Sequence, residues 1–272
     1  MNHSSSSIIV RSAVLAGVFS NVLATAGLGS ETAGPLQFPN QAIQVDADPS
    51  DWKGIQPHVA SGENHLWFGQ GMTREKWTGN RDLSYQWRGA WHGSRLFFLI
   101  EVTDDNVAEA LQPSSYLCDC VEIYIDYGNR GGKRVTVLDG RKDWLEKYDS
   151  KEIMGYEMHF LPTKEPLVFL DHRGKYATSS PHNVEFDGKW QGEVKTRRTK
   201  TGYITELAFA IPASSIELGK TIGVEIGVCD DDGKSRESIM MWPATMAEFW
   251  IDMGGYAKVR LAGPRSAEPE SE

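Results

Sequence analysis

The residues best suited to chemistry in this 272-residue chain lie between Tyr116 and Asp126. An aromatic ring, Tyr116, precedes Cys118 and Cys120, after which Val121, Ile123 and Ile125 alternate with Glu122, Tyr124 and Asp126. A period of two sets the β-branched residues on one face of a strand and the polar ones on the other. One face then packs, and the other can meet a ligand. A ring beside a carboxylate suits a pyranose, whose axial C–H groups stack on an aromatic face while its hydroxyls need acceptors. Glu122 reads equally as a solvated strand residue and as such an acceptor. Two further rings are candidates. Trp242 follows the apolar Ile239-Met240-Met241 and reads as core, whereas Trp250, ahead of the last strand-like run, is the better ligand contact.

These residues need a scaffold of strands. Short β-rich runs at 96–103, 121–126, 155–161, 202–211, 221–229 and 256–261 follow one another between turn residues, and helical periodicity is confined to a short stretch at 141–148. Many strands with few helices predict an all-β fold, a two-sheet antiparallel β-sandwich of jelly-roll or immunoglobulin-like type. Two long loop insertions, 53–82 and 129–150, carry Trp67, Trp77 and Trp144. Loops of that length in a folded domain serve function or movement.

The chain divides into four expected parts. Residues 1–26, with Arg11, an apolar run from Ala13 to Leu23 and Ala24-Thr25-Ala26, read as a signal peptide. Residues 27–41 read as a linker, 42–262 as the folded domain and 263–272 as a disordered acidic tail. The apolar run is too short to span a bilayer, so no transmembrane segment is expected, and the protein is placed outside the cell, in the periplasm or at the cell surface. A net charge of −9 with no basic stripe excludes nucleic acid as a partner.

Asp104-Asp105 and Asp230-Asp231-Asp232-Gly233 offer oxygens of the kind calcium takes, at Asp104, Asp105, Asp230 and Asp232, and the same residues also build ordinary turns. Cys118 and Cys120 fall on one side of a strand at the edge of disulfide reach; a bridge to Cys229 and unbridged thiols both remain open. No carboxylate pair stands out for glycoside hydrolysis, and G-x-S-x-G, H-E-x-x-H and phosphate-loop motifs are absent, so the chain is not expected to be an enzyme. Met158 and His159 are neighbours on a strand and point to opposite faces, so they cannot ligate one haem iron together. His92 or His159 with Met241 or Met253 keeps a haem-binding, cytochrome-like domain as an alternative. An extracellular protein-docking module that has lost sugar binding is another, and a buried Tyr116 or Trp250 would favour it.

An ordered set of motifs resembles carbohydrate-binding module family 9 along nearly the whole of the expected mature chain. The set comprises Ile43-Gln44-Val45-Asp46 with Asp51-Trp52, then Asp82-Leu83-Ser84 and Trp91, and Leu96 to Asp105. Asp119-x-Val121-Glu122-Ile123-x-Ile125-Asp126 follows, then Tyr203 to Pro212, Ile222 to Asp232, and Trp242 with Trp250. The resemblance implies a β-sandwich that holds glucan or xylan chain ends between two rings with a glutamate nearby, positions corresponding to Tyr116, Trp250 and Glu122. Tyr116 stands where the family usually has Trp. Glu157 and His159 stand where an Arg and an Asn commonly meet hydroxyls, so these two would tune selectivity. The resemblance also implies structural calcium, a poly- or oligosaccharide partner, a separate glycoside hydrolase nearby and a place in polysaccharide catabolism.

Overall fold

Alternation of β-branched and aromatic residues with polar ones builds two facing sheets. The computed structural model describes residues 34–67, 76–108, 115–129, 155–162, 167–172, 192–211, 213–244 and 253–264, and of 155–157 and 167–172 the backbone alone. Among these residues the strands are β1 (Leu36–Phe38), β2 (His58–Ala60), β3 (Leu83–His92), β4 (Arg95–Asp104), β5 (Cys120–Asp126), β6 (Gly155–Leu161), β7 (Leu167–His172), β8 (Gly192–Thr199), β9 (Gly202–Ala210), β10 (Thr221–Asp230), β11 (Ser238–Trp242) and β12 (Ala257–Leu261). One sheet runs β1-β12-β10-β5-β6-β7, with β11 also on β10, and the other runs β2-β3-β4-β9-β8. Every pairing is antiparallel except β1 with β12, which is parallel. No described helix is long and apolar enough to cross a membrane.

The central core lies between the sheets. Val121, Ile123 and Ile125 of β5 and Ile222, Val224, Ile226 and Val228 of β10 meet Trp87, Phe98, Ile100, Leu207 and Phe209 of the opposite sheet. Phe98 and Phe209 stack at 5.9 Å, and burying rings of this size stabilises the fold by about 2–3 kcal/mol apiece. Phe38 of β1 is buried among them, edge-on to Trp87 and Phe98. It fits because residue 89 has no side chain: a Cβ there would lie 2.1 Å from the Phe38 ring. Residues 36–38, read from composition as linker, are therefore part of the domain. A three-residue strand is too short to show a period.

Each sheet also carries a smaller apolar layer on its outer face. On the β4–β9 sheet this layer holds Trp52, Leu99, Ile204 and Ala208. There the Glu206 carboxylate accepts hydrogen bonds from Trp52 Nε1 at 2.7 Å, Asp46 N at 2.8 Å and Ala47 N at 2.6 Å, which pins the segment before β2 to the sheet. On the β5–β10 sheet the outer layer holds Trp67, Cys118, Cys120, Tyr124, Leu161, Cys229, Ile239, Met241, Met253 and Tyr256. The polar face of β5 was expected to be open to a ligand. It is roofed instead, and every residue of β5 is buried. The roof comes from segments far along the chain, which the strand's own alternation cannot reveal.

Candidate functional site

The register of β5 with its neighbours lays out the outer face as a grid. Cys120 pairs with Cys229 of β10, and Glu122 lies between Gly227 of β10 and His159 of β6. Tyr124 lies between Glu225 and Glu157. Gly227 is required for space: a Cβ there would lie 2.9 Å from Met241 Sδ, so its absence lets the roof settle beside Glu122.

Glu122 is 1% exposed. Its Oε2 accepts a hydrogen bond from Tyr124 OH at 2.7 Å, and its Oε1 accepts from Cys229 Sγ at 3.3 Å, with Cys120 Sγ at 4.0 Å. Ligand atoms of Cys120, Glu122 and His159 all lie within 4.8 Å of one another. Ser115 Oγ sits 2.8 Å from His159 Nδ1 and orients the ring. All three cysteines are buried thiols, none of them bridged. Burial, with Cys229 and Glu122 adjacent, pushes the Cys120 thiol well above its ordinary value, and burial likewise raises Cys229.

Arg236 closes this cluster. Its Nη1 donates to Cys229 Sγ at 3.7 Å, and its guanidinium lies 5.4 Å from the centroid of the Tyr116 ring. Burial works against its charge, but Cys229, Glu122 and Cys120 outweigh that and hold its pKa above the ordinary arginine value. Tyr116, on the 3₁₀ turn Ser115–Leu117, is 42% exposed, which is the state a sugar-stacking ring requires. Sequence reasoning missed Arg236 because it lies between strands, where no periodicity marks it.

Of the other sugar-contact candidates, Trp250 lies outside the described residues, and Glu157 is placed only by its backbone, in register with Tyr124 and Asp171. Trp242 packs against the central core, 4.9 Å from Trp87, as its apolar context predicts. His92 sits exposed on the other sheet, its Nδ1 2.9 Å from Asn40 Oδ1.

A second cluster lies where the two sheets meet. Asp104 at the end of β4, Asp119 just before β5 and Asp230 at the end of β10 place carboxylate oxygens within 4.8 Å of one another, all buried. Asp119 accepts from Ala108 N at 2.6 Å and Asp231 N at 2.7 Å, and Asp230 accepts from Ser238 Oγ at 3.0 Å. Asp104 Oδ1 accepts from Asn106 N at 2.8 Å, while its Oδ2 is buried without a hydrogen-bond partner among the described residues. Desolvation, and then the neighbouring carboxylates, push Asp104 up to about 6, Asp119 to about 8 and Asp230 to about 9. Beside it, Asp82, Asp105 and Asp232 form a more exposed group. Asp82 with Asp230 and Glu237 forms a third group that links these two, so the sequence set Asp104, Asp105, Asp230 and Asp232 is spread over adjoining groups that Asp82, Asp119 and Glu237 complete.

Three crowded carboxylates with an unpartnered buried oxygen suit a hard cation with oxygen ligands. The thiol cluster has softer donors and its own fixed cation.

The family model described as carbohydrate family 9 binding domain-like matches residues 64–149 and 168–264. A carbohydrate binding module family 9 from Caldicellulosiruptor kristjanssonii in complex with cellotriose superposes with a TM-score of 0.59 at 16% identity, covering 87% of this chain and 99% of that one. The same organism's module in complex with glucose gives 0.58 at 16% identity, with the same coverage. Exoglucanase XynX of Acetivibrio thermocellus is 26% identical over 182 residues, which is 65% of this chain and 13% of that protein. Endo-1,4-beta-xylanase C of Paenibacillus barcinonensis is 24% identical over 213 residues, 75% of this chain and 16% of that protein. The chain therefore spans less than a fifth of the length of these curated relatives.

Proposed function

Since the chain belongs to the carbohydrate family 9 binding domain-like family, we propose that it is an exported, non-catalytic module that holds an oligo- or polysaccharide of glucan or xylan type. The family match is the observation that carries this reading. The printed ligands of the two solved modules, cellotriose and glucose, and the names of the two hydrolase relatives support the substrate class. The signal-like residues 1–26 support export, and a separate glycoside hydrolase acting on the same polysaccharide is the partner this implies.

In this reading the exposed ring of Tyr116 stacks on the sugar and Trp250 supplies the second ring. Each ring should contribute on the order of 1–3 kcal/mol. Glu122, expected to accept a sugar hydroxyl, lies 1% exposed under the roof and already accepts from Tyr124 OH and Cys229 Sγ, so it supports the layer beneath Tyr116 and does not touch the sugar. Glu157 and His159 tune selectivity. Arg236 already lies against the Tyr116 ring, so a sugar stacks on the opposite ring face or displaces the guanidinium.

Calcium fits the acidic cluster. Asp104, Asp119 and Asp230 would hold it, with Asp82, Asp105 and Asp232 beside them. The bound ion would supply the positive charge that these carboxylates lack, joining the β4 end to the β5 and β10 ends.

The test is calorimetric titration of the mature protein with cello-, xylo- and manno-oligosaccharides, in calcium and in chelator, beside Trp250→Ala and Tyr116→Ala. Saturable binding that weakens roughly tenfold or more in both variants supports the site. No heat with any glycan from a folded protein overturns the sugar reading, and undiminished binding by both variants overturns the placement.

A further inference from the structure

We infer that the cluster beneath Tyr116 is a site for a thiophilic divalent ion of the zinc class, with Cys120, Cys229, His159 and Glu122 as its ligands. The inference stands on this cluster and does not depend on the sugar reading.

Donor type is the first support. Two thiols, an imidazole and a carboxylate are the set that zinc takes at roughly 2.0–2.3 Å. Calcium and magnesium, which take oxygen, are poorly matched to it. Geometry is the second. A tetrahedral ion needs ligand atoms about 3.3–3.8 Å apart, as the bond lengths dictate. Cys120, Glu122 and His159 already lie within 4.8 Å of one another, and Cys229 Sγ is 3.3 Å from Glu122 Oε1. Cys229 stands outside the group of three, on the far side of β5 from His159, so its side chain must turn inward as the ion enters. The backbone makes this possible: Cys120 and Cys229 are opposed across β5 and β10, and Glu122 and His159 across β5 and β6.

Charge is the third support. A divalent ion binds two thiolates and releases their protons. Two thiolates and a carboxylate then face the ion and Arg236, and the five groups together are neutral. Ser115, bonded to His159 Nδ1, supplies the outer contact that orients a metal-binding imidazole.

The test uses the full mature chain, reduced, in calcium, titrated with Co²⁺ and then back-titrated with Zn²⁺. The expected result is a thiolate-to-cobalt charge-transfer band with the visible bands of a tetrahedral ion, saturating at one per chain and displaced by zinc. Cys120→Ser and Cys229→Ser should each lower the band to about half its intensity and weaken binding, the double variant should abolish it, and His159→Ala should weaken binding roughly tenfold or more. Cys118→Ser, outside the ligand set, should keep it. Near-ultraviolet circular dichroism reports whether each variant is folded. No thiolate band from reduced, folded wild-type protein overturns the inference, as does a band of wild-type intensity and affinity in folded Cys120→Ser or Cys229→Ser, or cobalt binding as tight as wild type in folded His159→Ala. Sugar titration of the same wild-type sample is a separate readout, so failure of one reading is distinguishable from failure of the other.

Discussion

Asp119-Cys120 and Cys229-Asp230 are neighbouring pairs on opposed ends of β5 and β10, and in each pair the two side chains belong to different clusters. The aspartates join Asp104 from the other sheet, and the cysteines lie in the outer layer beneath Tyr116. The period of two thus builds a hard oxygen cluster on one side of the sheet and a soft sulfur cluster on the other, a few ångströms apart. They differ in how charge is handled. The thiol side holds Arg236 against a thiol, whereas on the acidic side Arg198 offsets only part of the burial and crowding at Asp104 and the three carboxylates stay raised. One cluster can stand alone; the other needs a cation or protons.

The largest break in this comparison is Asp119→Ala. It leaves Ala108 N and Asp231 N without their acceptor, and hydrogen bonds to a charged group contribute about 1.5–3 kcal/mol each. A loss of about 3 kcal/mol in stability is expected from urea unfolding in calcium. A midpoint within error of wild type would mean that this cluster holds nothing together.

Next in size is the response to calcium and pH. Asp104, Asp119 and Asp230 have folded pKa values of about 6, 8 and 9 against an ordinary 3.8, so the folded protein binds more protons than the unfolded one across that interval. Excess proton binding by the folded state makes its stability fall as pH rises. In chelator, the melting temperature should therefore fall between about pH 5 and pH 8. Saturating calcium should reverse the trend, adding about 2.7 kcal/mol at a hundredfold excess over its Kd. A melting temperature that is flat or rising with pH in chelator would contradict the burial, and after it the crowding, of these carboxylates.

The two clusters were unequally legible in the sequence. Alternation marked β5, β6, β9 and β10 almost to the residue, since each sends apolar side chains at every second position into the core. It did not mark β8, whose Lys195, Arg197 and Arg198 belong to an edge strand that buries little. Asp104 and Asp230 were legible as turn acids, but Asp119 was read only as part of a strand motif. Its partnership with them depends on β4 and β10 reaching the same end of the sandwich. The thiol cluster was less legible still. Cys120 meets Cys229 only through a pairing 109 residues long, and no local pattern specifies that register.

A smaller effect is expected at the surface of the soft cluster. Tyr116→Ala should weaken sugar binding roughly tenfold, about 1.4 kcal/mol, because the ring is a stacking face. Its half-exposed position should leave stability within about 0.5 kcal/mol of wild type. A stability loss as large as the affinity loss would make Tyr116 a structural cover for Arg236 and not a ligand contact.

The finest test is Ser115→Ala, which removes one hydrogen bond to His159 Nδ1 and nothing from the acidic side. A net cost of about 1 kcal/mol follows for one partly buried bond of this kind. Calcium should stabilise this variant as much as wild type, because the aspartates face away from Ser115 across the sheet. If Ser115→Ala instead changed the calcium-dependent shift in melting temperature, the clusters would be coupled through the strand they share. The alternation of β5 and β10 would then transmit between two ion-binding faces and not separate them.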